Sequence, residues 1–188
     1  MLGPLAITGA ASDILEVGTA FILILTIVVG YALWSFVKGA GFEPVPGKVL
    51  DEMVEFSQPG PGKQVYDLGS GFGRIIMKVA QKTGASCTGV EVDPLKVWWT
   101  RRQIASKRLQ GRVRVLRGDL LEAEIAPADI VFVFLWHGIM QKLKEKALRE
   151  MKPGSLVVSY FHEFDGWAPE RQDRKAKVYL YRIPVQGS

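Results

Sequence analysis

The distribution of apolar positions divides the chain in two. Val17–Val37 reads VGTAFILILTIVVGYALWSFV, 21 residues without a charged side chain. Its apolar residues run all the way round a helix instead of along one stripe, the pattern of a helix surrounded by lipid. At 1.5 Å per residue such a helix spans about 30 Å, the thickness of a bilayer's hydrocarbon core. Tyr31, Trp34 and Phe36 gather toward its C-terminal end, where an interfacial aromatic belt would lie. The rival readings are a buried core helix and a cleaved signal peptide, but a signal peptide has a basic leader and a shorter apolar core. Here Asp13 and Glu16 precede the run and no Lys or Arg does. The pattern predicts a membrane anchor over residues 1–40, with one transmembrane helix over about 15–38. Lys38 and Lys48 lie just beyond it. Positive charge stays on the cytoplasmic side, so the rest of the chain is expected there or in a topologically equivalent compartment.

Beyond the Gly- and Pro-rich link Gly39–Gly47 the periodicity changes. Lys48–Ser57 carries Val49, Leu50, Met53, Val54 and Phe56 at helical spacing, and Pro59-Gly60-Pro61-Gly62 ends it. Strand and helix patterns then alternate. Strands are expected at Gln64–Leu68, Ser86–Val92, Arg112–Leu116, Asp129–Leu135, Ser155–Phe161 and Lys177–Ile183. Helices are expected at Arg74–Lys82, Pro94–Leu109 and Ile139–Met151. Repeated strand–helix units imply a parallel sheet with helices on both faces. Ile130–Leu135 is apolar without interruption, as in a strand covered on both sides. The reading is one α/β domain of Rossmann-like architecture over residues 41–188, preceded by the transmembrane helix.

Composition then narrows the chemistry. The single cysteine, Cys87, rules out an internal disulfide and, with only two histidines, leaves too few ligands for the common metal sites, so no metal is expected. Cys87 sits among strand-forming residues and reads as a buried structural thiol. The net charge is +5; residues 1–41 contribute −1 through Lys38, Asp13 and Glu16, so the remainder carries +6. Lys96–Arg117 holds eight basic residues and no acidic one. Such an excess suits an anionic membrane surface, an acidic partner or nucleic acid, and equally an ordinary solvated surface.

The most specific stretch is Val65-Tyr66-Asp67-Leu68-Gly69-Ser70-Gly71-Phe72-Gly73-Arg74. A strand ends in an acid and runs into a glycine-rich turn that opens a helix, and glycines there allow a sharp turn and close approach of a ligand. A dinucleotide fingerprint needs G-x-G-x-x-G, but its third glycine position holds Arg74. Asp67 would repel a pyrophosphate, whereas it suits the ammonium and sulfonium groups of a cationic amino-acid cofactor. Tyr66, Asp67, Gly69, Ser70, Gly71 and Gly73 are therefore candidate cofactor contacts. The second element is Gly89-Val90-Glu91-Val92-Asp93. Glu91, 22 residues after Gly69, ends the second strand and can accept from both hydroxyls of a ribose, with Val92 beside it. The third is Gly118-Asp119-Leu120, past the third strand, where Asp119 can accept from an adenine amine. One strand-end acid is usually a cap or turn residue. Three, at the carboxyl ends of successive parallel strands, mark the edge at which such sheets bind ligands.

These elements resemble the class I methyltransferases that use S-adenosylmethionine (SAM), over about residues 44–183. More narrowly, the chain is similar to archaeal protein lysine methyltransferases and to mitochondrial enzymes that modify lysines of the ATP synthase c-ring protein and the adenine nucleotide translocase. The narrower match rests on Pro44-Val45-Pro46-Gly47-Lys48-Val49, Tyr66-Asp67-Leu68-Gly69, Gly73-Arg74-Ile75-Ile76, Lys152-Pro153-Gly154, Val157-Val158-Ser159, Gly166-Trp167 and Val178-Tyr179-Leu180-Tyr181. The resemblance implies SAM as cofactor, a seven-stranded sheet with its last strand antiparallel, and a lysine-bearing protein substrate. The anchor points to a substrate in the membrane and the bilayer as a partner. Little room for the sixth strand remains between Trp167 and Lys177, and Phe134-Leu135-Trp136-His137 replaces the polar residues expected after the fourth strand.

Absences narrow the acceptor further. No Asn or Asp followed by Pro-Pro and an aromatic residue follows the fourth strand, which disfavours a nucleic-acid base as acceptor. No cysteine stands where a covalent pyrimidine mechanism would need one. For an amine acceptor, alignment would supply much of the rate, and the sulfonium and an apolar channel would lower the lysine pKa. Trp136, His137, Tyr160, Phe161 and His162 are expected around that channel, with Trp136, His137 and Tyr160 as the catalytic candidates and His137 as a possible base. Trp98 and Trp99 lie inside a helix, where packing is expected for at least one. Two alternatives stay open: a methyltransferase for membrane lipids, quinones or other small molecules, and a non-catalytic SAM-binding protein at the membrane.

Overall fold

The computed structural model describes residues 5–38 and 44–185, with side chains described for 13–33 and 44–185. The chain separates into two compact units, Met1–Gly41 and Phe42–Ser188. The first contains helix α1, Leu5–Lys38, which starts about ten residues before the expected span. Asp13–Leu33 has the length and composition to cross a bilayer, with a mean hydropathy of 2.2. Its apolar side chains point outward all round, Ile14, Phe21, Leu23 and Leu33 each more than half exposed. Of the three expected belt aromatics, Tyr31 is half-buried, whereas the side chains of Trp34 and Phe36 lie outside the described residues.

The second unit is an α/β domain. Its elements are α2 (Gly47–Ser57), β1 (Gln64–Leu68), α3 (Arg74–Thr83), β2 (Ser86–Glu91), α4 (Pro94–Ser106), β3 (Val113–Arg117), β4 (Ile130–Val133), α5 (His137–Glu150), β5 (Leu156–Tyr160), β6 (Arg171–Asp173) and β7 (Val178–Arg182). They form one seven-stranded sheet in the order β3-β2-β1-β4-β5-β7-β6. Strands β1 to β5 are mutually parallel, and β7 runs antiparallel to both β5 and β6. This is the class I methyltransferase fold.

Packing follows the alternation of side chains across the sheet. Val65, Cys87, Val113, Ile130 and Phe132 face one side, where Leu50 and Met53 of α2, Ile76 and Val79 of α3, and Val97 and Ile104 of α4 cover them. Tyr66, Leu68, Val90, Val131 and Val133 face the other, under Met140, Leu143 and Ala147 of α5. Cys87 is a buried free thiol whose pKa burial pushes up to about 12, in keeping with a structural role.

The sixth strand is present after all. It is three residues long and pairs with β7 across a short hairpin, at Asp173↔Val178 and Arg171↔Leu180. The hairpin fits because the Asp173 carboxylate accepts from the Lys175 and Ala176 N–H groups and Lys177 adopts a left-handed φ of 55°. Strand and helix ends also shift by one to three residues. α4 stops at Ser106, short of Leu109, because Arg108 turns left-handed at φ 55° and Leu109 N–H bonds back to Ile104 C=O. α5 starts two residues early, at His137.

Candidate active site

All five parallel strands end on one edge, and the candidate residues gather there. The turn after β1 is built by its backbone. Gly69 and Ser70 both donate to Val90 C=O at 2.9 Å, tying the turn to β2. Gly69, Gly71 and Gly73 have φ of 84°, 53° and 71°, values a side chain rarely adopts. Their surroundings differ. A Cβ on Gly73 would lie 2.5 Å from Thr100 Cγ2, and one on Gly69 would lie 3.0 Å from Leu135 Cδ2, so both serve internal packing. A Cβ on Gly71 would meet nothing within 4 Å, so Gly71 borders open space.

Glu91 braces this turn. Oε2 accepts from Gly71 N–H at 2.8 Å and Oε1 from Asp93 N–H at 2.9 Å, while the side chain is buried. Each oxygen keeps a second acceptor site. Asp93 caps α4 by accepting from Leu95 and Lys96. Asp67 lies beneath the turn, 2 % exposed, and its Oδ2 has no hydrogen-bond partner; neither has the buried Ser70 Oγ. Burial, then the nearby Glu91 carboxylate, pushes the Asp67 pKa up to about 8. A buried, unpaired carboxylate is costly, and a cationic group beside it would relieve the cost. These orphaned atoms and the open Gly71 cradle fit a cationic amino-acid cofactor.

The remaining candidates are less uniform. Tyr66 is buried in the α5-side core. Val92 and Leu120 are half-buried at the edge. Asp119 is exposed and its Oδ1 accepts from Leu121 N–H at 2.8 Å, so it forms the turn after β3 with one oxygen left over.

Beyond β4 and β5 the edge is aromatic. Phe134 and Tyr160 pack with ring centres 4.7 Å apart and planes tilted by 53°, and Phe161 lies 6.1 Å from Tyr160. The His162 ring is 5.0 Å from Phe161 and 5.9 Å from His137. Burial, then the charges of His137 and Lys177, hold the His162 pKa below its ordinary value. His137 is more open, with Nε2 3.5 Å from Asp165 Oδ2. Trp136, the residue before α5, is 60 % exposed. Phe161 has φ 77°, Lys177 φ 55°, and the two are joined by a hydrogen bond from Phe161 N–H to Lys177 C=O. The Lys177 ammonium sits 3.8 Å from the Phe161 ring centre. Sequence reasoning placed Phe161 and His162 at the channel but had no signal for Lys177, which the β6–β7 hairpin brings there. Trp98 and Trp99 depart from expectation. Both are about half exposed, because α4 turns Val97, Thr100 and Ile104 to the sheet.

A sheet of this order, with a glycine turn after β1 and an acid ending β2, defines a class I SAM-dependent methyltransferase. Residues 67–171 match the ANTKMT methyltransferase domain, and the chain belongs to that family. A protein-lysine N-methyltransferase of Saccharolobus islandicus is 33% identical over 156 residues, 79% of this chain and 97% of the relative. The adenine nucleotide translocase lysine N-methyltransferase of Mus musculus is 28% identical over 169 residues, 84% of this chain and 73% of the mouse protein. The crystal structure of an RNA methyltransferase from Salinibacter ruber, in complex with S-adenosyl-L-homocysteine, has a TM-score of 0.74 and 34% identity, covering 78% of this chain and 97% of its own. SAM is thus the cofactor, and the site residues fit it.

Proposed function

We propose that the chain is a membrane-anchored methyltransferase that transfers methyl groups from SAM to lysine side chains of proteins. The observation that carries the reading is the orphaned Asp67 oxygen and open Gly71 turn, at an edge that continues into the aromatic cluster around Tyr160. The names of the archaeal and mouse relatives support lysine as acceptor. The name of the Salinibacter protein supports a second reading, RNA. Lysine is preferred because Phe134-Leu135-Trp136-His137 occupies the place of the Asn/Asp-Pro-Pro-aromatic motif of base amino methylation.

SAM, when bound, supplies a methyl group on a sulfonium, and its transfer to an amine leaves a neutral thioether. Asp67, Ser70 and the Gly69–Gly73 turn would hold the amino-acid end. Glu91 would receive the ribose hydroxyls on the acceptor sites left after Gly71 and Asp93. Tyr66 would support the turn from below, Val92 and Leu120 would flank the adenine, and Asp119 would accept from its amine. The acceptor lysine must first lose a proton from a group whose reference pKa is about 10.4. Trp136, Tyr160 and Phe161 make an apolar entry that favours the neutral amine. His137 and His162 lie side by side at this entry, ring centres 5.9 Å apart, and a neutral imidazole of either can take that proton.

The Asp13–Leu33 span supports an anchor that restricts acceptors to lysines near the cytoplasmic membrane surface. Labelled methyl transfer from SAM into membranes, followed by separation of protein, lipid and RNA, tests the reading. Mass spectrometry should find methylated lysine in protein. Label only in lipid, quinone or RNA would overturn it. Full-length protein that stays soluble without detergent would remove the anchor.

A further inference from the structure

Helix α4 shows water an unusual face. Its inward side packs Val97, Thr100 and Ile104 on the sheet, and its outward side carries Leu95, Trp98, Trp99 and Arg102. Their spacing, i, i+3, i+4 and i+7, puts them on one stripe. Leu95 is 57 % exposed, Trp98 53 % and Trp99 47 %. Beyond residue 44 the only other large apolar side chains this open, among the described residues, are Leu116, Trp136, Phe161 and Val185. The stripe is embedded in the basic run. Of the eight cations between Lys96 and Arg117, Lys96 pairs with Asp93 at 3.6 Å; among the described residues the other seven have no carboxylate partner within 4 Å. The Arg102 guanidinium lies 4.7 Å from the Trp98 ring centre, and Arg101 reaches Val115 C=O on β3.

We propose that the α4 face docks on an anionic phospholipid bilayer. The reading rests on the anchor proposed above. A plain basic surface would suit any polyanion, but tryptophans and a leucine flanked by arginines match the headgroup boundary, where indole rings and arginine stems favour a half-apolar setting. Charge complementarity supplies the attraction. The tether keeps the partner in reach: eight residues separate Lys38 from Gly47, at most about 29 Å of extended chain. α4 begins directly after Val92 and Asp93, at the cofactor edge of the sheet. Docking by this face therefore holds that edge at the headgroup level, where membrane-protein lysines emerge.

The test uses full-length protein in nanodiscs of phosphatidylcholine alone or with phosphatidylglycerol, each containing a diazirine-bearing phospholipid. Photolabelled peptides are mapped by mass spectrometry. Labelling of Val17–Val37 in both discs is expected, with labelling of Leu95–Arg102 strong only in the anionic discs. The double variant R101Q/R102Q should lower α4 labelling by roughly five-fold per charge removed. Trp98→Ser with Trp99→Ser should lower it with SAM binding retained, which shows the fold intact. An unlabelled α4 beside a labelled anchor would overturn the docking proposal and leave the anchor. An unlabelled Val17–Val37 would overturn the anchor itself. Protection of α4 by an RNA oligonucleotide, without lipid labelling in anionic discs, would overturn the proposal in favour of nucleic acid.

Discussion

The two halves of the open sheet edge are built from different materials. At β1 and β2 the backbone shapes the site: glycines at positive φ, N–H groups donated to Val90 C=O, and one carboxylate, Glu91, bridging two loops. At β4 and β5 side chains shape it: tilted aromatic rings in contact, two histidines and a lysine brought in from the last hairpin. A backbone site tolerates little change, because each glycine conformation and each N–H has one partner. A side-chain site can be altered ring by ring. On the proposed reading, cofactor binding and acceptor choice lie on different halves, and substitutions should split them.

The largest effect is expected at Gly73. Valine there must accept φ 71° and a Cβ 2.5 Å from Thr100, so unfolding free energy should fall by about 3 kcal/mol or more in denaturant titration. Gly71→Val is the sharper probe. Its Cβ meets nothing, so the fold should survive with a loss of about 1–2 kcal/mol from backbone strain, while calorimetry should find SAM binding abolished. Retained binding would break the assignment of this turn to the cofactor. Glu91→Ala comes next and should weaken SAM binding by about 1.5–3 kcal/mol, the worth of charged hydrogen bonds. Unchanged affinity in a folded variant would sink the ribose role.

Asp67 gives a pH signature on the same half. Its pKa of about 8 in the free fold lies above the ordinary 3.8, so the fold favours the protonated acid. That stabilisation is complete below about 3.8 and is lost as the pH rises through about 8. A cationic ligand favours the carboxylate, so SAM binding should release a proton. Affinity should climb from pH 6 to about 8 and then level off, as calorimetry in two buffers would show. Asp67→Asn should flatten the curve. The smallest effects should come from the acceptor half. Tyr160→Ala should lower kcat/KM by roughly tenfold, about 1.4 kcal/mol, with SAM affinity unchanged. His137→Ala should cost less, because its ring is exposed and His162 remains.

Legibility followed the same division. The cofactor half could be read because its chemistry is local: an acid, a turn and a helix start within ten residues, repeated at the next strand. Asp119 shows the limit, since its carboxylate forms the turn after β3 as an ordinary turn residue would. The acceptor half was legible only in part. Tyr160 and Phe161 sit at a strand end and could be named from position, but Phe134 was not named for the channel, and Lys177 reaches Phe161 through a hairpin whose strand is three residues long.

What the sequence determined by itself was whatever depends on short-range pattern. The uncharged apolar run made α1, the alternation made the parallel strands, and the glycines with Asp67 and Glu91 made the turn proposed to hold the cofactor. Tertiary structure alone decided which way each face turned. Helical position predicts packing for at least one of Trp98 and Trp99, yet α4 leaves both about half exposed, because Val97, Thr100 and Ile104 already face the sheet over β2 and β3. It also decided that Asp67 Oδ2 would be buried without a partner. Both outcomes depend on what lies across the sheet from a residue, and a linear pattern carries the spacing of side chains but not the neighbours they will meet.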